Sequence, residues 1–141
     1  MNSYVIDASV AVKWFIPDAA VEADVDRALQ LLASAQRDEA RFLQPPHWVS
    51  EVAAVLVRLA PRTVIPSVEA LLALAFVNTA NDVEHYQRAI SLALKLDHHL
   101  FDTLYHAVAL EEKATLITAD RKYYDKARRV GSILMLEEFE R

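Results

Sequence analysis

Apolar positions along the chain alternate between short unbroken runs and stripes that recur every three or four residues. Tyr4-Val5-Ile6 is a β-branched and aromatic run closed by Asp7, which predicts a buried strand, with Ser9 placed to cap a helix behind it. From Val21 to Gln36, Val21, Val25, Ala28, Leu29, Leu32 and Ala35 recur at three and four while Glu22, Asp24, Asp26 and Arg27 take the other faces, so an amphipathic helix is expected. Phe42-Leu43 reads as a weak strand. Pro45-Pro46 suits a helix start, and the helix expected from His47 to Leu59 stops at Pro61. Ser67 is positioned to cap a helix carrying Leu71, Leu72, Leu74 and Ala75, and a minor strand follows over Phe76 to Thr79.

Asp82 opens a third amphipathic helix with Tyr86, Ile90, Ala93 and Leu94 as its expected core face. Asp97-His98-His99 separates it from a helix carrying Leu104, Tyr105 and Val108. Thr115-Leu116-Ile117-Thr118 is the clearest strand, Arg121 to Arg129 a short basic helix with Gly131 at its C′ position, and Ser132 to Leu136 a last strand. Apolar strands without polar alternation, set between long amphipathic helices, predict an α/β fold with a parallel sheet covered on both faces. In such sheets ligands bind beyond the carboxyl ends of the strands.

At 141 residues the chain fits one domain, residues 1–141. Its single glycine, Gly131, removes glycine-rich phosphate loops and with them Walker-type NTPases and dinucleotide-binding folds. The absence of cysteine removes disulfide scaffolds, thiolate zinc sites and a thiol nucleophile. The longest apolar stretches are broken by Lys13, Arg58 or Lys95, and the amino terminus lacks a basic region, so a soluble, cytoplasmic protein without a membrane span is expected. A net charge of −5 argues against a non-specific nucleic-acid binder. Gathering four of the twenty carboxylates into one pocket would leave sixteen against fifteen bases, a nearly neutral remainder.

Asp7 and Asp120 each end a predicted strand and therefore share one rim, and Glu51 and Asp102 stand in the opening turns of helices, Glu51 in one that emerges at that rim. Taken singly, Asp7 is an ordinary cap, Asp120 a turn residue, and Glu51 and Asp102 favourable charges near helix N-termini. Taken together, four carboxylates repel one another unless a cation compensates, and oxygen-only ligation favours hard ions, Mg²⁺ or Mn²⁺ in its place.

With these acids stand VIDASVAVKWF over 5–15, PPHWVSEVAAVL over 45–56 and LFDTLYHAVALEEKATLITADRKYY over 100–124. In these segments and their order the chain resembles the PIN-domain ribonucleases, and among them VapC-like toxins of bacterial toxin–antitoxin pairs, over almost its whole length. The resemblance implies a sheet of about five parallel strands flanked by helices, Mg²⁺- or Mn²⁺-dependent hydrolysis of RNA, dimerisation, and inhibition by a cognate antitoxin. It assigns Asp7, Glu51, Asp102 and Asp120 to the metal-binding and catalytic set, and Ser9 and Thr118 to the accompanying hydroxyls; of the four acids we read Asp7 and Asp102 as direct ligands, with Glu51 and Asp120 as further ligands or as acceptors orienting metal-bound water. Metal ions held there would polarise a non-bridging phosphate oxygen and lower the pKa of an attacking water. His106 and Val108 depart from the family pattern, which has small or simple apolar residues in that stretch.

Lys13, Arg121 and Lys122 follow the rim acids and are candidate phosphate contacts, with solvated surface charge as the plain alternative. Trp14, Phe15 and Trp48 suit core or interface packing better than base stacking. His98, Asp102 and His106, spaced by four, would form a zinc-binding stripe on a continuous helix. A zinc hydrolase built on them, and a catalytically silent α/β adaptor, are the two alternative readings. His47 and His85 are expected on helix surfaces or near caps.

Overall fold

The computed structural model describes residues 1–16 and 22–140. Its order is β1 (Asn2–Ile6), α1 (Ala8–Ala11), α2 (Val25–Gln36), β2 (Ala40–Gln44), α3 (Trp48–Leu59), α4 (Val64–Leu72), β3 (Val77–Thr79), α5 (Val83–Leu96), α6 (Leu100–Glu111), β4 (Thr115–Thr118), α7 (Arg121–Ala127) and β5 (Ile133–Met135). The five strands form one all-parallel sheet in the order β3-β2-β1-β4-β5. The α/β expectation holds.

Adjacent residues on a strand point to opposite faces, so burial of consecutive residues means that both faces are covered. Val5 and Ile6 are both fully buried, and Leu116, Ile117 and Thr118 nearly so. Each large apolar side chain among them contributes roughly 1.5–3 kcal/mol by leaving water. The two central strands also run in register, with Ile6 opposite Ile117. Beyond Ile6 the pairing continues by other means. The buried Gln44 side chain donates Nε2–H to the Ile6 carbonyl at 2.8 Å and accepts the Ile6 N–H on Oε1 at 2.7 Å, while Asp7 N–H donates to the Ile117 carbonyl at 3.0 Å. These bonds fix the exit of β1, where the first rim acid stands.

Several local expectations shift. Asp7, not Ser9, caps α1, because its carboxylate accepts the Ser9 N–H. Ser67 lies inside α4, donating its hydroxyl to the Thr63 carbonyl one turn back, and Thr63 occupies the N-cap position. Leu74 and Ala75 lie beyond that helix. The second helix begins at Val25, and the expected start at Val21 lies outside the described residues. The core face of α5 is rotated: His85, Ala89 and Leu92 are buried, whereas Ile90 is 50% and Leu94 80% exposed. The periodicity fits either stripe; packing decides, with Ala89 and Leu92 clustering against Leu104 and Ala107 of α6. The basic helix ends at Ala127 and tightens into a 3₁₀ turn before Gly131, whose φ of 91° suits a residue without Cβ.

Candidate metal centre

Asp7 leaves β1 at the carboxyl rim and is only partly open to solvent. Its Oδ2 accepts a short hydrogen bond from the Ser9 hydroxyl and a second, at 3.3 Å, from the buried Thr118 hydroxyl. Burial pushes the Asp7 pKa up to about 6; the Ser9 bonds pull against that, and the charges of Asp102 and Glu51 add to it. Both Asp102 and Glu51 therefore act on Asp7 through space. Glu51, in the first turn of α3, behaves oppositely. Its burial would raise its pKa, but the His47 and Tyr105 side chains and the charges of His47 and His99 outweigh that and hold it below the usual range.

Asp120 ends β4's connection to α7. Its Oδ1 accepts the Tyr123 N–H at 3.1 Å as a helix cap, and its own N–H donates to the Thr118 hydroxyl at 3.0 Å. Thr118 thus ties Asp120 to Asp7. Asp102 and Glu51 act on Asp7, whereas Asp120 reaches Asp7 only through its backbone N–H and the Thr118 hydroxyl, its carboxylate being used to cap α7. The spacing is wide: no three of the four acids bring ligand oxygens within 4.8 Å of one another.

Among the described residues two other groups do close to that distance, His98 with His99 and Asp102, and Asp82 with His85 and Glu112. The expected stripe of His98, Asp102 and His106 does not exist as a ligand set. Asp97, with φ 51°, ends α5, so His98 precedes α6 rather than lying on it. His106 is spent in the interior, with Nε2–H donated to the Gly131 carbonyl at 2.7 Å and Nδ1 accepting from the Tyr123 hydroxyl at 2.8 Å. Burial, helped by the charge of Arg88 and opposed by the Gly131 bond, lowers its pKa.

Tyr105 is a site residue that reading the sequence placed only in the core. It is fully buried, its ring centroid 4.7 Å from that of His47, and its hydroxyl has no partner in hydrogen-bonding geometry although it acts on Glu51. Burial first, then the charges of Asp7, Glu51 and Asp102, push its pKa far up, so it remains a neutral donor. Nothing in its apolar spacing distinguishes it from a packing residue.

The cationic candidates divide. Lys13 is buried and paired with Glu22 at 2.7 Å; Arg121 pairs with Glu137 and lies over the Tyr124 ring. Lys122 is exposed. Trp14 stacks on Phe42, meets Trp48 edge-on, and donates its indole N–H to the Ala28 carbonyl, which makes it a packing residue. His85, expected near a cap or surface, is at the cap but buried.

A partly desolvated carboxylate in the field of two more fits a hard divalent cation, and wide spacing suits one that keeps part of its water shell. The buried Tyr105 hydroxyl, a neutral donor acting on Glu51, favours the charged form of that carboxylate and so suits the same environment.

The PIN domain family model matches residues 4–129. No curated protein matches the sequence closely enough to count as a relative. Among solved structures the chain is similar to Mycobacterium tuberculosis VapC20, a Sarcin-Ricin loop cleaving toxin, at 15% identity and TM-score 0.66 over 86% of this chain and 93% of that one. It is similar to a toxin–antitoxin complex from Klebsiella pneumoniae at 14% identity and TM-score 0.68, covering 96% and 99%. VapBC2 from Rickettsia felis, bound to a DNA fragment from its promoter, matches at 14% identity and TM-score 0.63, covering 94% and 96%. At these identities the likeness is one of fold.

Proposed function

The chain belongs to the PIN domain family, and from that premise we propose that it is a metal-dependent endoribonuclease, the toxin of a toxin–antitoxin pair. The observation that carries this reading is the half-buried Asp7 at the carboxyl end of β1, tied through the buried Thr118 hydroxyl to the Asp120 backbone and lying in the field of Asp102 and Glu51. Asp7 and Asp102 would hold Mg²⁺, or Mn²⁺ in its place, with Glu51 and Asp120 as further ligands or acceptors for ordered water. When bound, the cation supplies the positive charge that offsets the carboxylates and stabilises charge building on a phosphate.

The chain's own residues supply the rest. Ser9 and Thr118 hold one Asp7 oxygen and so set the direction of the other. Glu51, kept ionised by His47 and Tyr105, accepts a hydrogen bond from a water aligned for in-line attack. The new bond to phosphorus forms as the bond to the leaving sugar oxygen breaks, and no side-chain nucleophile is needed. Lys122, and Arg121 and Lys13 on release from their acidic partners, would steer the RNA backbone.

An antitoxin and a second copy of the chain are the proposed protein partners. Exposed Val83, Ile90 and Leu94 on α5, and Val57, Ile65 and Leu72 on α3 and α4, offer apolar surface for them. Among the described residues no helix is long and apolar enough to cross a membrane, and the proposed site of action is the cytoplasm. Incubating the purified protein with total RNA and Mg²⁺, Mn²⁺, Zn²⁺ or EDTA tests the chemistry. Cleavage with Mg²⁺ or Mn²⁺ that EDTA stops is expected. Cleavage restored by Zn²⁺ alone, or none under any condition, would overturn the reading. Growth arrest on expression, relieved by a protein encoded beside it, tests the toxin role.

A further inference from the structure

Asp102 stands at the third position of α6, from which a carboxylate ordinarily reaches back to the N-cap N–H. Here that bond is not made. Its Oδ2 is turned instead toward two imidazoles, His98 Nε2 at 2.6 Å and His99 Nε2 at 3.2 Å. His99 is largely exposed, whereas the His98 side chain is only 8% exposed.

The direction of the His98 bond follows from its other nitrogen. Lys126 Nζ lies 3.3 Å from His98 Nδ1, and an ammonium can only donate, so Nδ1 accepts and Nε2 carries the proton. Lys126 is itself held by the Asp97 carbonyl at 3.0 Å. The Tyr123 ring packs against the imidazole with centroids 4.9 Å apart, and Tyr123 is fixed at both ends, its N–H by Asp120 and its hydroxyl by His106. An imidazole so held presents a donor to Asp102, not a lone pair to an ion, which argues against His98 as a zinc ligand in the grouping of His98, His99 and Asp102.

We propose that His98 is a positioning residue for the metal centre: its Nε2–H anchors one oxygen of Asp102 and leaves Oδ1 as the oxygen offered to the rim. This rests on the reading above that the rim acids hold a divalent ion. α7 is then the clamp, contributing Tyr123 against one side of the imidazole and Lys126 at its far nitrogen. Fixing a ligand's partner in this way commonly matters 10–100-fold in metal affinity.

The test is Mn²⁺ binding to the full chain, followed by electron paramagnetic resonance at pH 7.5, alongside the Mg²⁺ dependence of RNA cleavage and the melting temperature. His98→Ala should weaken Mn²⁺ about tenfold or more. His98→Gln, whose amide N–H has similar reach, should recover most of that loss, and both variants should melt within a few degrees of wild type. An unchanged Mn²⁺ affinity in His98→Ala, or equal losses in both variants with a large fall in melting temperature, would overturn the proposal. Asp102→Asn separates the two levels of argument. If it binds Mn²⁺ as wild type does, or if wild type binds none, the metal reading of the rim fails and this proposal with it; if it loses Mn²⁺ while His98→Ala does not, only the positioning role fails.

Discussion

Two histidine–carboxylate pairs in this molecule have nearly the same local chemistry and opposite uses. His98 donates to Asp102 at 2.6 Å while its Nδ1 accepts from Lys126; His85 donates to Glu112 at 2.8 Å while its Nδ1 accepts the Asp82 N–H at 3.0 Å. Both imidazoles are nearly buried. The difference lies beyond the pair. Glu112 is 42% exposed at the end of α6, whereas Asp102 is half-buried and lies in the field of Asp7. His85 completes a capping box at the start of α5; His98, on the proposal above, aims the Asp102 carboxylate toward the rim acids. A histidine and an acid at short distance therefore carry no chemistry until their surroundings do.

The largest expected contrast is in activity. Asp7→Asn or Asp102→Asn should reduce RNA cleavage by at least about a hundredfold, because each removes a charge that holds the cation. Glu112→Gln should cleave within about twofold of wild type. Equal losses at the two sites would erase the distinction.

In stability the ranking reverses. His85→Ala leaves the Asp82 N–H without its partner and opens a cavity under α5, which should cost about 2–3 kcal/mol in urea unfolding with Mn²⁺ affinity unchanged. Asp7→Asn should have the opposite sign in metal-free protein. With its folded pKa raised from 3.8 to about 6, Asp7 favours folding when protonated; that contribution is complete below pH 3.8 and is lost as pH rises through 6. The variant should therefore match wild type near pH 4 and exceed it by about 2 kcal/mol at pH 7.5, after allowing for partial solvent screening. A constant difference across that range would show that Asp7 is not so desolvated. The smallest effect belongs to Lys122→Ala, which should weaken RNA binding about threefold at low salt and not at all at high salt.

The sheet was legible because its central strands are continuous apolar runs, and a run needs no partner to be recognised. Helix faces were less so. On α5 two stripes satisfy the same period, and only the neighbouring Leu104 and Ala107 choose between them. The rim acids could be anticipated because strand ends dictate where Asp7 and Asp120 emerge. His98 was visible as a residue but not in its role, since its relation to Asp102 depends on the left-handed turn at Asp97 and on Lys126, 28 residues away along the chain. Tyr105 left no signal beyond apolar spacing.

The most direct test of the central claim is anomalous diffraction from crystals grown with Mn²⁺ at a concentration that supports cleavage. Manganese density bounded by Asp7 and Asp102, with Glu51 and Asp120 as direct or water-bridged neighbours, is the predicted result. Density at His85 and Glu112, or none at the rim, would contradict it.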